Sequence, residues 1–254
     1  MENFRPRLPP LPVLAQGEGW VVVAKPPSLP VHRNEQMPHV DAALQVVRDQ
    51  VGRRVYPIHR LDYSASGCLL FATEQGLAGP LSAAFTAATT RKTYVAFVRG
   101  YFAHDAPILV DSPMKDDNGF LKEAATLVRV LGRSRDPRCS LLLAEPRTGR
   151  FHQVRRHVRD LHHPIVGDTD HGDSKVNRWW RENAGASRLG LHCASLEMTL
   201  PDGQQLTVTC PLFEDLSAWW SRMPWWPEAC AALPSLALAP LPMWGSKEPS
   251  AVSP

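Results

Sequence analysis

Two stretches of this 254-residue chain carry residues that could do chemistry. The first is HRLDYSASG, residues 59–67, which packs an imidazole, a guanidinium and a carboxylate into four positions ahead of the apolar run CLLFAT. Asp62 there is either a turn former beside a solvated Arg60, or a carboxylate aimed at a substrate. The second is RTGRFHQVRRHVR, residues 147–159, with five arginines, two histidines and no acid. Such a face repels itself unless an anion sits on it, and RNA phosphate is the common candidate. The plain alternative is a charged helix face solvated by water. Other chemistries lack their parts. Ten histidines are present, but His152 and His157 diverge on a helix. Neither H-E-x-x-H nor paired-cysteine spacing occurs, so no metal is expected. SASG lacks the first glycine of a serine-hydrolase elbow. No G-x-G-x-x-G or Walker pattern calls for a nucleotide cofactor. What remains is one carboxylate in an arginine-rich setting, working without metal, cofactor, or serine or cysteine partner.

A helix drawn from Arg150 at about 100° per residue puts Phe151, Val154, Val158 and Leu161 on one stripe. His152, Arg155, Arg156 and Arg159 fall on a second. Arg156 points away from the apolar stripe and Arg155 borders it, so Arg155 is the one placed to pair with a buried carboxylate. Around this helix, GWVVVAK (19–25) reads as a buried strand stopped by prolines. VDAALQVVRDQVG reads as a helix capped by Gly52. CLLFAT is a strand, with Thr73 set to cap an Ala-rich helix over 74–88. KTYVAFVRG (92–100), ATLVRVL and CSLLLAE are further strands. LHCASLEMTL, PDG and QQLTVTC form a hairpin, and LFEDLSAWWSRM a closing helix. Runs of strands with few helices predict an α+β domain with a mostly antiparallel sheet. Residues 1–17 read as a proline-rich arm, 18–227 as the domain, and 228–254 as a disordered Ala/Pro-rich tail.

Hydrophobic content of 44% and charged content of 21% are those of a globular protein, and the net charge is +3. The five cysteines form no C-x-x-C pair, which suits reduced thiols in the cytoplasm. The proline-broken start is not a signal peptide, and no apolar run approaches the ~18 residues of a membrane helix.

HRLDYSASG resembles the H-R-L-D-x-x-T-S-G signature of the RluA-type pseudouridine synthases. AKPPSLPVH, KTYVAFVRG, TGRFHQVRRH followed by HPIVGD, and LHCASLEM resemble four further segments of that family, in the same order, over about residues 18–222. The resemblance implies the pseudouridine synthase fold. It implies isomerisation of a uridine in RNA to its C-glycoside, with no cofactor or metal. By the same resemblance Asp62 is the essential carboxylate, either a nucleophile at the ribose or an aid to cleavage of the glycosidic bond. Tyr94 stacks on the target base near the C5 proton, and Arg155 pairs with Asp62. Arg60 holds the nucleotide out of the stack, and Val154 lines the base pocket. His59, Arg150, Arg156 and Lys25 join them on the substrate side. Read without the family, Tyr94 is a core residue and His59 is structural. His192 and Cys193 then pack on a strand, and Lys25 either contacts phosphate or is solvated.

The sequence departs from the family pattern at Ala65 (Thr), Ala24 (Asn) and Ser28 (Gly), and at Tyr63 and Ser64. These departures touch the rigidity of the Asp62 loop rather than the reaction. His162 and His171 stand where many rRNA-directed members have Gly and Tyr. The pattern there resembles the tRNA-directed branch that modifies uridine 65 in the T stem. A 23S rRNA substrate is the alternative, and a non-catalytic RNA-binding module a distant one. With no additional RNA-binding domain expected, the core would bind RNA as a monomer through the 147–159 face and Arg53, Arg54 and Arg60.

Overall fold

A computed structural model of the protein describes residues 8–33, 40–116 and 118–245. In chain order the elements are β1 (Val13–Gly17), β2 (Trp20–Lys25), α1 (Ala43–Val51), β3 (Tyr56–Pro57), β4 (Ser66–Ala72), α2 (Gln75–Thr86) and β5 (Arg91–Arg99). Next come β6 (Ile108–Val110), β7 (Met114–Lys115), β8 (Leu121–Lys122), β9 (Thr126–Arg135), β10 (Arg138–Pro146), α3 (Gln153–Asp160) and α4 (Ser174–Ala184). The chain closes with β11 (Leu191–Thr199), β12 (Gln205–Thr209), α5 (Glu214–Trp220) and α6 (Trp226–Ala232). Ten strands form one sheet in the order β1-β2-β4-β11-β5-β10-β9-β6, with β12 on β11 and β3 on β4. The ladders are antiparallel except the short parallel pairing of β4 with β11, His192 opposite Ser66 and Cys193 opposite Gly67. This is the expected α+β architecture.

Strand β5 shows why its sequence alternates. Val95 and Phe97 join a cluster containing Trp180, Trp219, Trp220 and Trp225. Ala96 and Val98 join Val154 and Val158 of α3 in another. The sheet is thus packed on two sides, by the tryptophan-rich C-terminal helices and by the arginine-rich helix. Phe97 meets Trp219 edge-on at 4.7 Å between ring centroids, the geometry favoured by aromatic quadrupoles.

Several expectations change. The N-terminal arm is partly sheet: β1 pairs with β2. Leu11 is buried and exchanges two hydrogen bonds with the Gln50 amide. The tail is folded at least as far as residue 245. Ala229 and Leu236 are buried, the Leu241 amide donates to Leu212, and the Trp244 indole donates to the Pro9 carbonyl. Proline content broke long helices there but did not prevent burial of the Ala and Leu side chains. Residues 1–7 and 246–254 lie outside the described residues. The helix after β4 starts at Glu74, which caps it without a side-chain bond, so Thr73 is not its cap.

Helix α3 also begins later than the wheel assumed. His152 takes a left-handed conformation (φ 53°) just before it. That turn swings Phe151 out of the apolar stripe, leaving it 50% exposed. Gln153 fixes the turn: its side-chain oxygen accepts from the Arg150 amide and the Thr148 hydroxyl. Its amide nitrogen donates to the Ala125 carbonyl. Val154 and Val158 pack as expected.

Gly67 is required by the β4–β11 junction. Its φ is 125°, and a Cβ would collide with the Cys193 backbone. Gly67→Ala should therefore destabilise the fold by roughly 3 kcal/mol, from strained backbone and overpacking together, read as a lower denaturant midpoint.

Candidate active site

A cleft opens between the loop carrying Asp62, the start of α3 and strand β5. Its walls include Arg60, Asp62, Tyr94, His152, Val154 and Arg155. The residues expected to act together are therefore together. Asp62 sits at the lip of β4 with 17% of its side chain exposed, and its Oδ2 accepts from Arg155 Nη1 at 3.3 Å. Arg155 is only 5% exposed. Its position on the border of the apolar stripe is what buries it.

Arg155 is held more tightly by two carboxylates that the sequence reading did not assign. Its Nε donates to Asp168 Oδ2 at 2.8 Å, and its Nη2 donates to Asp168 Oδ1 at 2.6 Å. The same Nη2 reaches Asp170 Oδ2 at 2.6 Å. Burial pushes Asp168 toward neutrality. The Arg155 hydrogen bonds and the backbone amides of His171 and Asp170 outweigh it and hold the carboxyl below its usual value. Those two amides donate to Oδ1 at 3.0 Å each, so Asp168 also shapes the turn that follows it. Asn177 of α4 clamps this turn by donating to the Asp168 carbonyl and accepting from the Gly167 amide. A second cationic residue is neutralised locally, Arg159 by Asp160 at 2.6 Å. The arginine-rich segment is thus less bare than its own sequence suggests.

The Asp62 loop is not slack in the absence of a threonine at 65. Ala65 is buried among Val154 and Leu191, and its amide donates to the Asp62 carbonyl at 3.1 Å. The Tyr63 carbonyl accepts from the Ser28 amide and from Lys25 Nζ. Lys25 is fully buried and also donates to the carbonyls of Pro26 and Leu29 at 2.8 Å. It therefore does not face a phosphate. Desolvation first and then Arg188, against the opposing charge of Asp62, lower its pKa to about 7. Its place is under the loop, as a brace.

His59 lines the cleft but is committed elsewhere. Its Nε2 accepts from the Leu70 amide at 3.1 Å, and its ring stacks on Phe85 at 4.4 Å. Burial lowers its pKa to about 4, so it is a neutral wall. His192 is likewise structural, accepting from the Ser66 hydroxyl and donating to the Cys210 carbonyl.

Tyr94 lies opposite Cys193 across the β5–β11 ladder. Burial, the Cys193 thiol and the Asp62 charge all push its pKa well above the ordinary phenol value, so the hydroxyl is a neutral donor in the free enzyme. At the mouth of the cleft, Arg60 lies over the Phe151 ring at 5.2 Å. Arg150 donates to the Glu123 carbonyl, and Arg156 reaches toward the carbonyl of Lys115 on β7. Arg53 approaches Glu74 at 3.8 Å, and Arg54 lies over Tyr56. Arg60 and Arg150 belong to the cleft wall, and Arg53, Arg54 and Arg156 lie beyond it. Among the described residues, no cluster of His, Cys, Asp and Glu has an arrangement that would hold a metal ion, and no helix is long and apolar enough to cross a membrane.

The sequence profile of the RNA pseudouridylate synthase family matches residues 19–160, a span that includes Asp62, Tyr94 and Arg155. The chain belongs to this family, isomerases that make pseudouridine in RNA. Within it, tRNA pseudouridine synthase C of Vibrio cholerae is 38% identical over 219 residues, covering 78% of this chain and 89% of that protein. The protein of the same name from Yersinia pestis is 37% identical over 239 residues, covering 85% and 91%. The solved structure of human RNA pseudouridylate synthase domain containing 1 shares the fold. Its TM-score is 0.66 at 23% identity, over 82% of this chain and 86% of that one.

The unequal burial of the carboxylates sets an expected contrast. Asp168→Asn leaves the buried Arg155 without its two-point partner and should cost about 3–5 kcal/mol. Asp170, with 54% of its side chain exposed, should cost no more than about 1 kcal/mol as Asp170→Asn. Urea denaturation of the two variants measures the difference.

Proposed function

We propose that this protein converts a uridine of tRNA to pseudouridine, at position 65 of the T stem, with Asp62 as the reacting carboxylate. The observation that carries the reading is the Asp62–Arg155 pair at 3.3 Å, set in the cleft beside Tyr94. The tRNA assignment is supported by the names of the relatives and by His162 and His171 in the third motif.

The reaction conserves atoms. The N1–C1′ bond breaks, the uracil turns within the site, a C5–C1′ bond forms, and the C5 proton leaves as N1 is protonated. No co-substrate is consumed, so the protein supplies placement and charge. Asp62 acts at the ribose. Arg155 fixes one oxygen through the Nη1 contact, leaving Oδ1 free of the arginine. Tyr94 offers an aromatic face for the flipped base, and its hydroxyl, held protonated by burial, donates a hydrogen bond. Val154 forms the apolar side of the base pocket. A T-stem uridine is paired, so removing it from the stack costs a few kcal/mol. Arg60 stands at the lip where the vacated space would be filled, and Arg150 and Arg156 can engage phosphates on either side.

Asp62→Asn should reduce turnover at least about 10³-fold while tRNA affinity in a filter-binding assay stays within about twofold. Turnover near the wild-type rate would refute the role given to Asp62. Pseudouridine mapping in tRNA and 23S rRNA, with and without the gene, tests the substrate. Loss at T-stem position 65 is expected, whereas loss confined to rRNA would transfer the assignment to rRNA. The rim arginines predict a fall in kcat/KM of at least about tenfold between roughly 50 and 200 mM salt.

A further inference from the structure

We infer that His152 and His171 form a positioning pair for the reaction, in which His171 fixes the proton of His152 and His152 aims the free oxygen of Asp62. The inference rests on the role of Asp62 proposed above and adds two residues to it. Four observations converge. His152 Nε2 lies 4.0 Å from Asp62 Oδ1, the oxygen that Arg155 does not engage. His152 Nδ1 lies 3.0 Å from His171 Nε2. The His152 ring is pinned by Phe151, stacked at 3.7 Å between centroids, with His171 edge-on at 5.2 Å. Its backbone occupies the left-handed region, so a strained residue has been placed where its ring meets the Asp62 carboxylate.

The proton pattern follows from these contacts. Each ring nitrogen faces a carboxylate, Nε2 that of Asp62 and Nδ1 that of Asp170 at 3.8 Å. Asp170 Oδ2 is already engaged by Arg155 at 2.6 Å, whereas Asp62 Oδ1 is not, so the hydrogen belongs on Nε2. A neutral ring then has an accepting Nδ1, and His171 Nε2–H donates to it. The outcome is a directed chain, His171 to His152 to Asp62. At 4.0 Å the last link is not closed in the free protein. It shortens when nucleotide fills the cleft and Asp62 turns to the ribose, as catalytic hydrogen bonds commonly do.

The chain is connected to the Arg155 anchorage. Asp168 Oδ1 accepts from the His171 amide while binding Arg155, so one carboxylate sets both the arginine on one side of Asp62 and the histidine relay on the other. The charged groups facing His152 are Asp62 from the β4 loop, Arg155 from α3, and Asp170 and His171 from the turn before α4. Burial comes first in lowering the His152 pKa, Asp62 opposes it, and Arg155 and His171 add to it. Its neutral form therefore prevails at neutral pH. A protonated His152 would bind Asp62 as an ion pair and take the carboxylate away from the ribose.

The test uses the full-length protein and an unmodified tRNA transcript. His171→Phe keeps a ring but removes the donor, and should lower kcat about tenfold with tRNA affinity unchanged. His171→Gln restores a donor and should return kcat to within about threefold. His152→Ala should lower kcat about 100-fold, the cost of a misplaced reacting group. His152→Gln retains a donor near the Nε2 position and should recover part of that loss. Wild-type kcat should decline on acidification as His152 gains a proton, and His152→Gln should lack that decline. Melting curves and tRNA binding identify any variant that has merely unfolded, in which case the Gln variants decide. Wild-type kcat in His171→Phe, a loss seen only in tRNA affinity, or an unaltered acid limb in His152→Gln would overturn the inference. Asp62→Asn, run alongside, separates the two levels. If it is active, the role of Asp62 fails. If it is inactive while the histidine variants match wild type, only the pair fails.

Discussion

One guanidinium governs the centre of this protein. Burying Arg155 in the wall of the cleft would be prohibitive without partners, because an unpaired buried charge costs several kcal/mol. Asp168 supplies a two-point partner and Asp170 a third contact. These leave Nη1 as the donor for Asp62. Asp62 is thereby oriented without being captured. The arginine is satisfied by other acids, so its hold on Asp62 is a single hydrogen bond. The rest of the site serves that balance. Asn177 steadies the Asp168 turn, Gln153 and His152 set where α3 begins, and Lys25 braces the Asp62 loop from beneath.

The fold class and the central pair were legible in the sequence because periodic patterns and short motifs carried them. Arg155 borders an apolar stripe, and that border is a property of helix geometry alone. Asp62 stands out as a carboxylate between an imidazole–guanidinium pair and a turn. Asp168 and Asp170 were not legible as its supporters. They lie 13 and 15 residues beyond Arg155, past the end of α3, and no periodicity connects a loop to a helix. The GD of HPIVGD was the available signal: Gly167 has φ 83°, with no room for a Cβ, which marks a backbone forced into place for its neighbour.

Lys25 and Phe151 failed for the complementary reason. A lysine before prolines looks solvated, yet three backbone carbonyls that turn inward give its ammonium partners. A phenylalanine in helical register looks buried, but a left-handed residue after it reverses the direction of the side chain. In both cases the backbone path decided, and side-chain type pointed the wrong way. The termini are a weaker version of the same lesson, since composition reports average polarity and not the few apolar positions that dock.

The strand order has a consequence for how the protein comes into being. Strands β4 and β5 are successive in the chain, yet β11 lies between them in the sheet. Asp62 lies in the loop leading into the first and Tyr94 on the second, so their separation depends on a strand made roughly a hundred residues later. A nascent chain emerging from the ribosome holds both residues long before it holds the spacer. Closing so long a loop is entropically slow, and until β11 inserts, the two halves of the sheet have no common register. Until β11 is made, Asp62 and Tyr94 therefore lack the strand that sets their spacing.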